Sequence, residues 1–176
     1  EGYDESLSIG KVKCFYGNFL VALRAAVYID TLGAEGIKDA AQKAVLNANY
    51  LMEGLKEFYP VAYDRVCMHE FVLTLENLKH EKGVSAMDVA KAMLDYGIHP
   101  PTMYFPLIVH EDLMFESTET ETKETLDEAI RVLGEIRQIA EKDAQSLHEA
   151  PHRTIIGRVD EVRAARQPVL KYAFND

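Results

Sequence analysis

Residues 70–76, EFVLTLE, are the stretch that most narrows the folds open to this chain. Phe71, Leu73 and Leu75 alternate with Glu70, Val72, Thr74 and Glu76, which predicts a half-buried strand. The flanking sequence has the other period. Ile37, Ala41, Ala44, Ala48, Leu51, Leu55 and Phe58 step by four and three alternately and predict a helix that Tyr59-Pro60 ends. Leu126, Ile130, Leu133, Ile136, Ala140, Ala144 and Leu147 predict a second, long amphipathic helix. A short strand between helices buries its apolar face only by packing against them. The expected class is therefore α/β, an α+β two-layer arrangement in which a small sheet is backed by helices.

The remaining elements follow from local signals. Phe15–Leu32 reads as a helix with Gly33 as its stop. Asn77 to Gly83 is polar and reads as a turn. Ser85 and Asp88 have capping-box spacing for a helix through Val89, Ala90, Met93 and Leu94 that Gly97 closes. Met103–Phe105 reads as a strand cut by Pro106, with Leu107–Val109 and Leu113–Phe115 as further strand at edge or end positions. Thr118 and Glu121 have capping-box spacing before the last long helix. Asn47 and Asn49 are weak helix formers, and one of them is expected to cap a neighbouring loop's backbone. After Pro151 no period emerges until VLKYAF. The expected organisation is connector helices over 1–59 that link to a large domain not contained in the chain. A small α/β domain over 60–150 and a basic tail over 151–176 complete it.

Charge and composition exclude several classes. The formal charge is −10, which disfavours nucleic acid as a partner. Residues 151–176 hold five basic against three acidic side chains, so the tail is +2 and residues 1–150 carry the remaining −12. Such a tail either docks on the acidic body, contacts another acidic surface, or is simply solvated. Cys14 and Cys67 make no disulfide framework, and the chain reads as reduced and cytoplasmic. The most apolar run, FLVALRAAVYI, is too short for a membrane span and contains Arg24. The absence of an initiator methionine suggests a piece of a longer protein. No GxGxxG, Walker A or GxSxG pattern occurs. Cys67-Met68-His69 lacks a second ligand pair and His110-Glu111-Asp112 reads as an exposed turn, so no metal is expected.

Two histidines stand at element boundaries, where scaffolds present functional groups. His69 precedes the predicted strand; it either bonds nearby backbone or serves a site. His99 follows a helix C-terminus; it either sits there for the helix dipole or serves a site. His99 opens HPPTMYFP, whose paired prolines force extended backbone and aim the chain at Tyr104 and Phe105. Arg65 could take a carboxylate in a bidentate fork, or be a surface arginine beside Asp64.

GNFLVALRAAVYI, VLNANYL, CMHEFVL, DYGIHPPTMYFPLIV, ETETKETLDE, EAPH and ARQPVLKY, in that order, resemble the C-terminal part of the glycine cleavage system P-protein family. Within it the likeness is to the split bacterial form, glycine dehydrogenase (decarboxylating) subunit 2. The likeness runs from about Ser8 to Tyr172, and the HEFVL and HPPTMYFP blocks with the following TETE are specific together. It implies the C-terminal small domain of a fold-type I, aspartate aminotransferase-like pyridoxal phosphate enzyme. That enzyme decarboxylates glycine and transfers the aminomethyl group to the lipoyl arm of H-protein, with P-protein subunit 1 as a partner. It further implies that His69, His99, Thr102 and Glu119 face the active-site entrance, with Arg65 for the substrate carboxylate. Two departures stand out. Ser117 replaces the family's proline, and no histidine–lysine pair precedes a glycine-rich run. The chain itself is therefore expected to bind no pyridoxal phosphate, to hold no catalytic residue and to be inactive alone. A free-standing interaction module, using the aromatic corner and basic tail, and the small domain of another pyridoxal phosphate enzyme are the alternatives.

Overall fold

Helix α1 (Phe19–Leu55) is two helical stretches joined at Gly33, where the sequence predicts a stop. Gly33 has φ 62 and ψ −175, backbone that glycine adopts freely and that no helix contains, so the first stretch ends there as expected and a second follows. The helix begins at Phe19 rather than Phe15. The computed structural model describes residues 7–10, 12–13, 15–172 and 174; Cys14 and Ala173 of the VLKYAF run lie outside them. Two compact units divide the chain, residues 1–40 and residues 41–176. In the first, every residue from Phe19 to Thr31 is exposed.

The second unit is built around a three-stranded antiparallel sheet. Strand β1 (Phe71–Thr74) and strand β2 (Thr102–Met103) flank the central strand β3 (Asp112–Phe115). Phe71 pairs with Phe115, Val72 with Met114, Leu73 with Leu113 and Thr74 with Asp112, while Thr102 pairs with Met114. Alternation along each strand puts Phe71, Leu73, Leu113, Phe115 and Met103 on the face that joins the core. The Phe71 and Phe115 rings stack there at 5.5 Å. Ala48, Leu51, Met52 and Leu55 of α1, with Val89 and Met93, cover that face together with Leu133 and Ile136. Each such side chain contributes roughly 1.5–3 kcal/mol by leaving water. Tyr59, fully buried, donates its hydroxyl to the Leu133 carbonyl at 3.0 Å and so pins the end of the first helix to the last long one.

Five expectations are corrected. The polar Asn77–Gly83 stretch is helix α2 (Glu76–Lys82): Leu78 alone faces the core, the polar residues form the exposed sides, and Gly83 closes the helix at φ 75. Leu107–Val109 is no strand, because Val109 N–H turns back to the Pro106 carbonyl at 3.0 Å. Thr118 is not a helix cap. Its carbonyl and that of Glu121 accept from the Asn47 amide at 2.9 and 3.0 Å, which holds 118–121 as a loop. Thr122 caps helix α4 (Lys123–Lys142) instead. The expected single last helix breaks at Asp143, which ends α4 and caps helix α5 (Ala144–Glu149) through the Ser146 N–H. The strand over 70–76 is shorter than expected, and Val72, on the supposedly polar face, is buried.

Other local signals hold. Ser85 and Asp88 form the capping box of helix α3 (Ala86–Leu94). Asn49 caps loop backbone by accepting from Cys67 N–H at 3.0 Å and donating to its carbonyl at 2.8 Å; Asn47 holds the 118–121 loop by donating to two of its carbonyls. The start of the basic tail docks on α3. Asp95, at its C-terminus, accepts from the N–H groups of His152 and Arg153 at 2.7 and 2.6 Å. Asp88, at its N-terminus, receives Arg158 at 2.8 Å and faces His148 at 3.2 Å. Burial works against the charge on Asp88, but the hydrogen bonds from Ser85 and from Arg158 outweigh it and hold the carboxyl below the ordinary aspartate range. Helix α6 (Glu161–Arg166) follows and buries nothing.

Gly134, within α4, gives the fold a direct test. A Cβ there would stand 2.8 Å from Phe58 Cζ and 3.1 and 3.2 Å from two further ring atoms. Gly134→Ala is expected to lower stability in urea unfolding by about 1–3 kcal/mol, the usual cost of overpacking, although alanine is the better helix former.

Candidate functional site

Helices cover one face of the sheet. The other carries Val72, Met114 and Thr102 side by side across the three strands. Two clefts share Met114 as a lining residue. The first, about 620 Å³, lies between the 63–70 segment and the Phe105-Pro106 corner and includes Arg65, Cys67 and His69. The second, about 640 Å³, lies between the 98–101 exit and the 116–126 segment and includes His99, Thr102 and Ser117.

The sequence at each rim explains its position. Asn49 fixes Cys67, and His69, two residues on, emerges just before β1 as an exposed side chain beside Glu70. Pro100 and Pro101 keep the chain extended after α3, so His99 stands at the mouth of the second cleft. The loop between β2 and β3 has a positive φ at each end, 57 at Tyr104 and 46 at Glu111. Side chains of L-residues pay about 1–2 kcal/mol there. Hydrogen bonds hold Glu111 in place: its carbonyl accepts from Leu75 N–H at 2.7 Å, and its carboxylate accepts from Ala86 N–H at 2.8 Å, at the positive end of α3. The tip between them presents Leu107 and Ile108 to solvent.

The predicted site residues thus fall into two groups. His69 and Arg65 line the first cleft, and His99 and Thr102 line the second. Glu119 lies in the half-buried turn before α4 and lines neither. Asp64 pairs with Lys56 at 2.5 Å, and Arg65 makes no ion pair among the described residues. Phe105, which the sequence singles out beside Tyr104, walls the first cleft with Pro106, whereas Met114, common to both clefts, escapes sequence reasoning because its strand is too short to reveal which of its faces is open. Cys67 lines the first cleft, and burial raises its thiol above the ordinary range.

Two buried polar groups lack partners among the described residues: the Ser117 hydroxyl and both oxygens of Asp112. Asp112 is 0% exposed, which corrects the reading of His110-Glu111-Asp112 as an exposed turn. Burial pushes its carboxyl above the ordinary aspartate range, and the nearby amides of Asp112 and Phe105 offset only part of that.

No group of three metal-ligating side chains occurs among the described residues, and no helix there is long and apolar enough to cross a membrane. Pyridoxal phosphate, which the sequence resemblance implies, requires a lysine amine in the cleft that anchors it. No lysine lines either cleft. Lys56, Lys82 and Lys123 are engaged by acidic partners. The residues present do not fit a covalently anchored cofactor.

Comparison with known proteins adds to this geometry. The family described as glycine dehydrogenase, C-terminal domain, matches residues 40–155. The probable glycine dehydrogenase (decarboxylating) subunit 2 of Treponema denticola is 60% identical over 170 residues, covering 97% of this chain and 35% of that protein. Its counterpart in Thermosipho melanesiensis is 52% identical over 174 residues, covering 99% and 36%. The chain spans about a third of the length of these relatives. Among solved structures, an inhibitor-bound glycine decarboxylase (P-protein) of the glycine cleavage system matches with a TM-score of 0.59 and 26% identity. That match covers 70% of this chain and 28% of the other.

Asp112 supplies a test of the buried site. A carboxyl that folding makes a weaker acid destabilises the folded state once it must ionise. The loss sets in as pH climbs past the unfolded-state value, at up to about 1.4 kcal/mol for each pH unit, and is complete above the folded-state value. Asp112→Asn removes the ionisation, so the variant is expected to be more stable than the parent at pH 7, with the difference narrowing as pH falls to 4. Urea unfolding at the two pH values reads the outcome.

Proposed function

The chain belongs to the glycine dehydrogenase C-terminal domain family, and from that premise we propose that it is the wall-forming part of a longer subunit that decarboxylates glycine with pyridoxal phosphate. The longer subunit passes the aminomethyl group to the lipoyl arm of H-protein and works beside P-protein subunit 1 in the cytoplasm. The observation that carries this reading is a pair of clefts, each lined by a histidine and both lined by Met114, in a chain whose family match is to this enzyme.

The cofactor is anchored by polypeptide outside this chain, a reading supported by the lack of a lysine in these two clefts. The chain's own residues bind and exclude. Val72, Met114, Phe105 and Pro106 offer apolar surface that keeps water from the entrance. His69 and His99 supply ring nitrogens that can donate or accept hydrogen bonds at either cleft. Arg65, with its planar fork, is the group suited to a substrate carboxylate. Thr102 and Glu119 complete the entrance in supporting roles. Residues 1–59 serve as connector helices to the large domain.

Two measurements test the proposal. With pyridoxal phosphate, the 176-residue chain is expected to show no single lysine fixed by borohydride, and it should release no carbon dioxide from glycine. In the full-length subunit, assayed with its partners, His69→Ala and His99→Ala should each slow glycine-dependent carbon dioxide release by about 10–100-fold. Decarboxylation by the isolated chain, or full activity in both variants, would overturn it.

A further inference from the structure

We infer that residues 19–32, the part of α1 before Gly33, form an interior helix of the domain that precedes this one in the longer subunit, enclosed by it on all sides. The inference rests on the functional reading above only in taking the chain as part of a longer subunit.

The composition of this helix is the first argument. Phe19, Leu20, Val21, Leu23, Val27, Tyr28 and Ile29 are between 46% and 74% exposed. At about 100° per residue, Phe19, Leu20, Val21 and Ile29 alone point in four directions roughly a quarter turn apart. A solvent-facing helix carries its apolar residues in one stripe, whereas a helix apolar all round belongs in the interior of a larger protein or in a membrane.

The choice of occupant is the second argument. A second copy packing along this helix would cover one stripe and leave the others in water. A membrane is disfavoured because no helix among the described residues meets the length and hydropathy of a span, and Arg24 sits in the middle of this one. What remains is the polypeptide that the relatives carry outside the matched third. The family match begins at residue 40, and the compact second unit begins at 41, so both leave this helix to something other than the C-terminal domain. Enclosure also demands partners for Arg24 and Asp30, since a guanidinium or a carboxylate leaves water only when paired; an acidic and a basic side chain of the enclosing domain are the matching groups.

Thiol labelling tests the enclosure. Phe19→Cys, Leu20→Cys, Val21→Cys and Ile29→Cys are made singly, with Cys14→Ser and Cys67→Ser in the background. Each is made both in the 176-residue chain and in the full-length subunit. All four thiols should react freely in the short chain and be slowed about 100-fold or more in the full-length subunit, as in a cooperatively closed interior. Hydroxyl-radical footprinting of the unaltered full-length subunit reads the same residues without substitution, so a variant that fails to fold leaves the question answerable. One side of the helix remaining reactive in the full-length subunit would overturn the inference. So would protection already present in the short chain, protection that disappears on dilution, or protection that needs lipid vesicles. None of these readouts depends on glycine turnover, so an inactive enzyme with an enclosed helix would sink the functional reading and leave this one standing.

Discussion

Three strands of two to four residues, served by helices on one side only, bury one sheet face and leave the other without helices. That one-sided packing governs the rest of the second unit. Phe71, Leu73, Leu113 and Phe115 go inward because their positions in the register allow nothing else, and Val72, Met114 and Thr102 are turned outward by the same alternation. The first cleft exists because the 63–70 segment and the Phe105-Pro106 corner come over this outer face without closing it, while core residues Leu51, Met93 and Phe115 also line the second. A fourth strand or another helix on the outer side would make a more complete core and fill the first cleft.

The loops that shape the clefts are held by polar side chains that reach out of regular elements to main-chain atoms. Asn49 carries the segment leading to His69, and Asn47 carries the turn before α4. Glu111 ties the β2–β3 loop to the start of α3. A carboxylate or amide aimed at backbone orders a loop without consuming core volume, which suits a domain with so little sheet. The same device fails at Asp112 and Ser117, whose buried groups lack partners among the described residues, and both lie where strand β3 begins and where it hands over to the last helices.

The helical stripes, the Ser85–Asp88 cap and the existence of a strand at 71–74 are legible because each is a local pattern whose period or spacing has one physical reading. The misses share a different cause. Asn77–Gly83 looks like a turn because six of its residues face water, and the single buried Leu78 is too little for a period. Thr118 has the spacing of a cap, but Asn47, distant in sequence, takes the carbonyls that the helix would need. Val72 looks solvent-facing because alternation describes a strand with one covered face, whereas here loops cover part of the second. The site is legible only residue by residue. His69, His99, Arg65 and Thr102 stand out by type and boundary position, but their division between two clefts depends on register. Met114, which lines both, is an unremarked apolar residue until its partners Val72 and Thr102 are known.

Asp95 holds the chain after Pro151 chiefly by its amides: the Asp95 carbonyl accepts from the Arg153 guanidinium at 3.4 Å, while the Asp95 carboxylate accepts from two successive N–H groups. Every residue except proline offers that group. The carboxylate's share of this anchorage is thus independent of which side chains stand at 152 and 153, and the contacts of His152 with the Ser146 carbonyl and of Arg153 with the Tyr96 ring come on top of it. Relatives that diverge at those two positions are expected to keep that share, so long as the acid at position 95 persists.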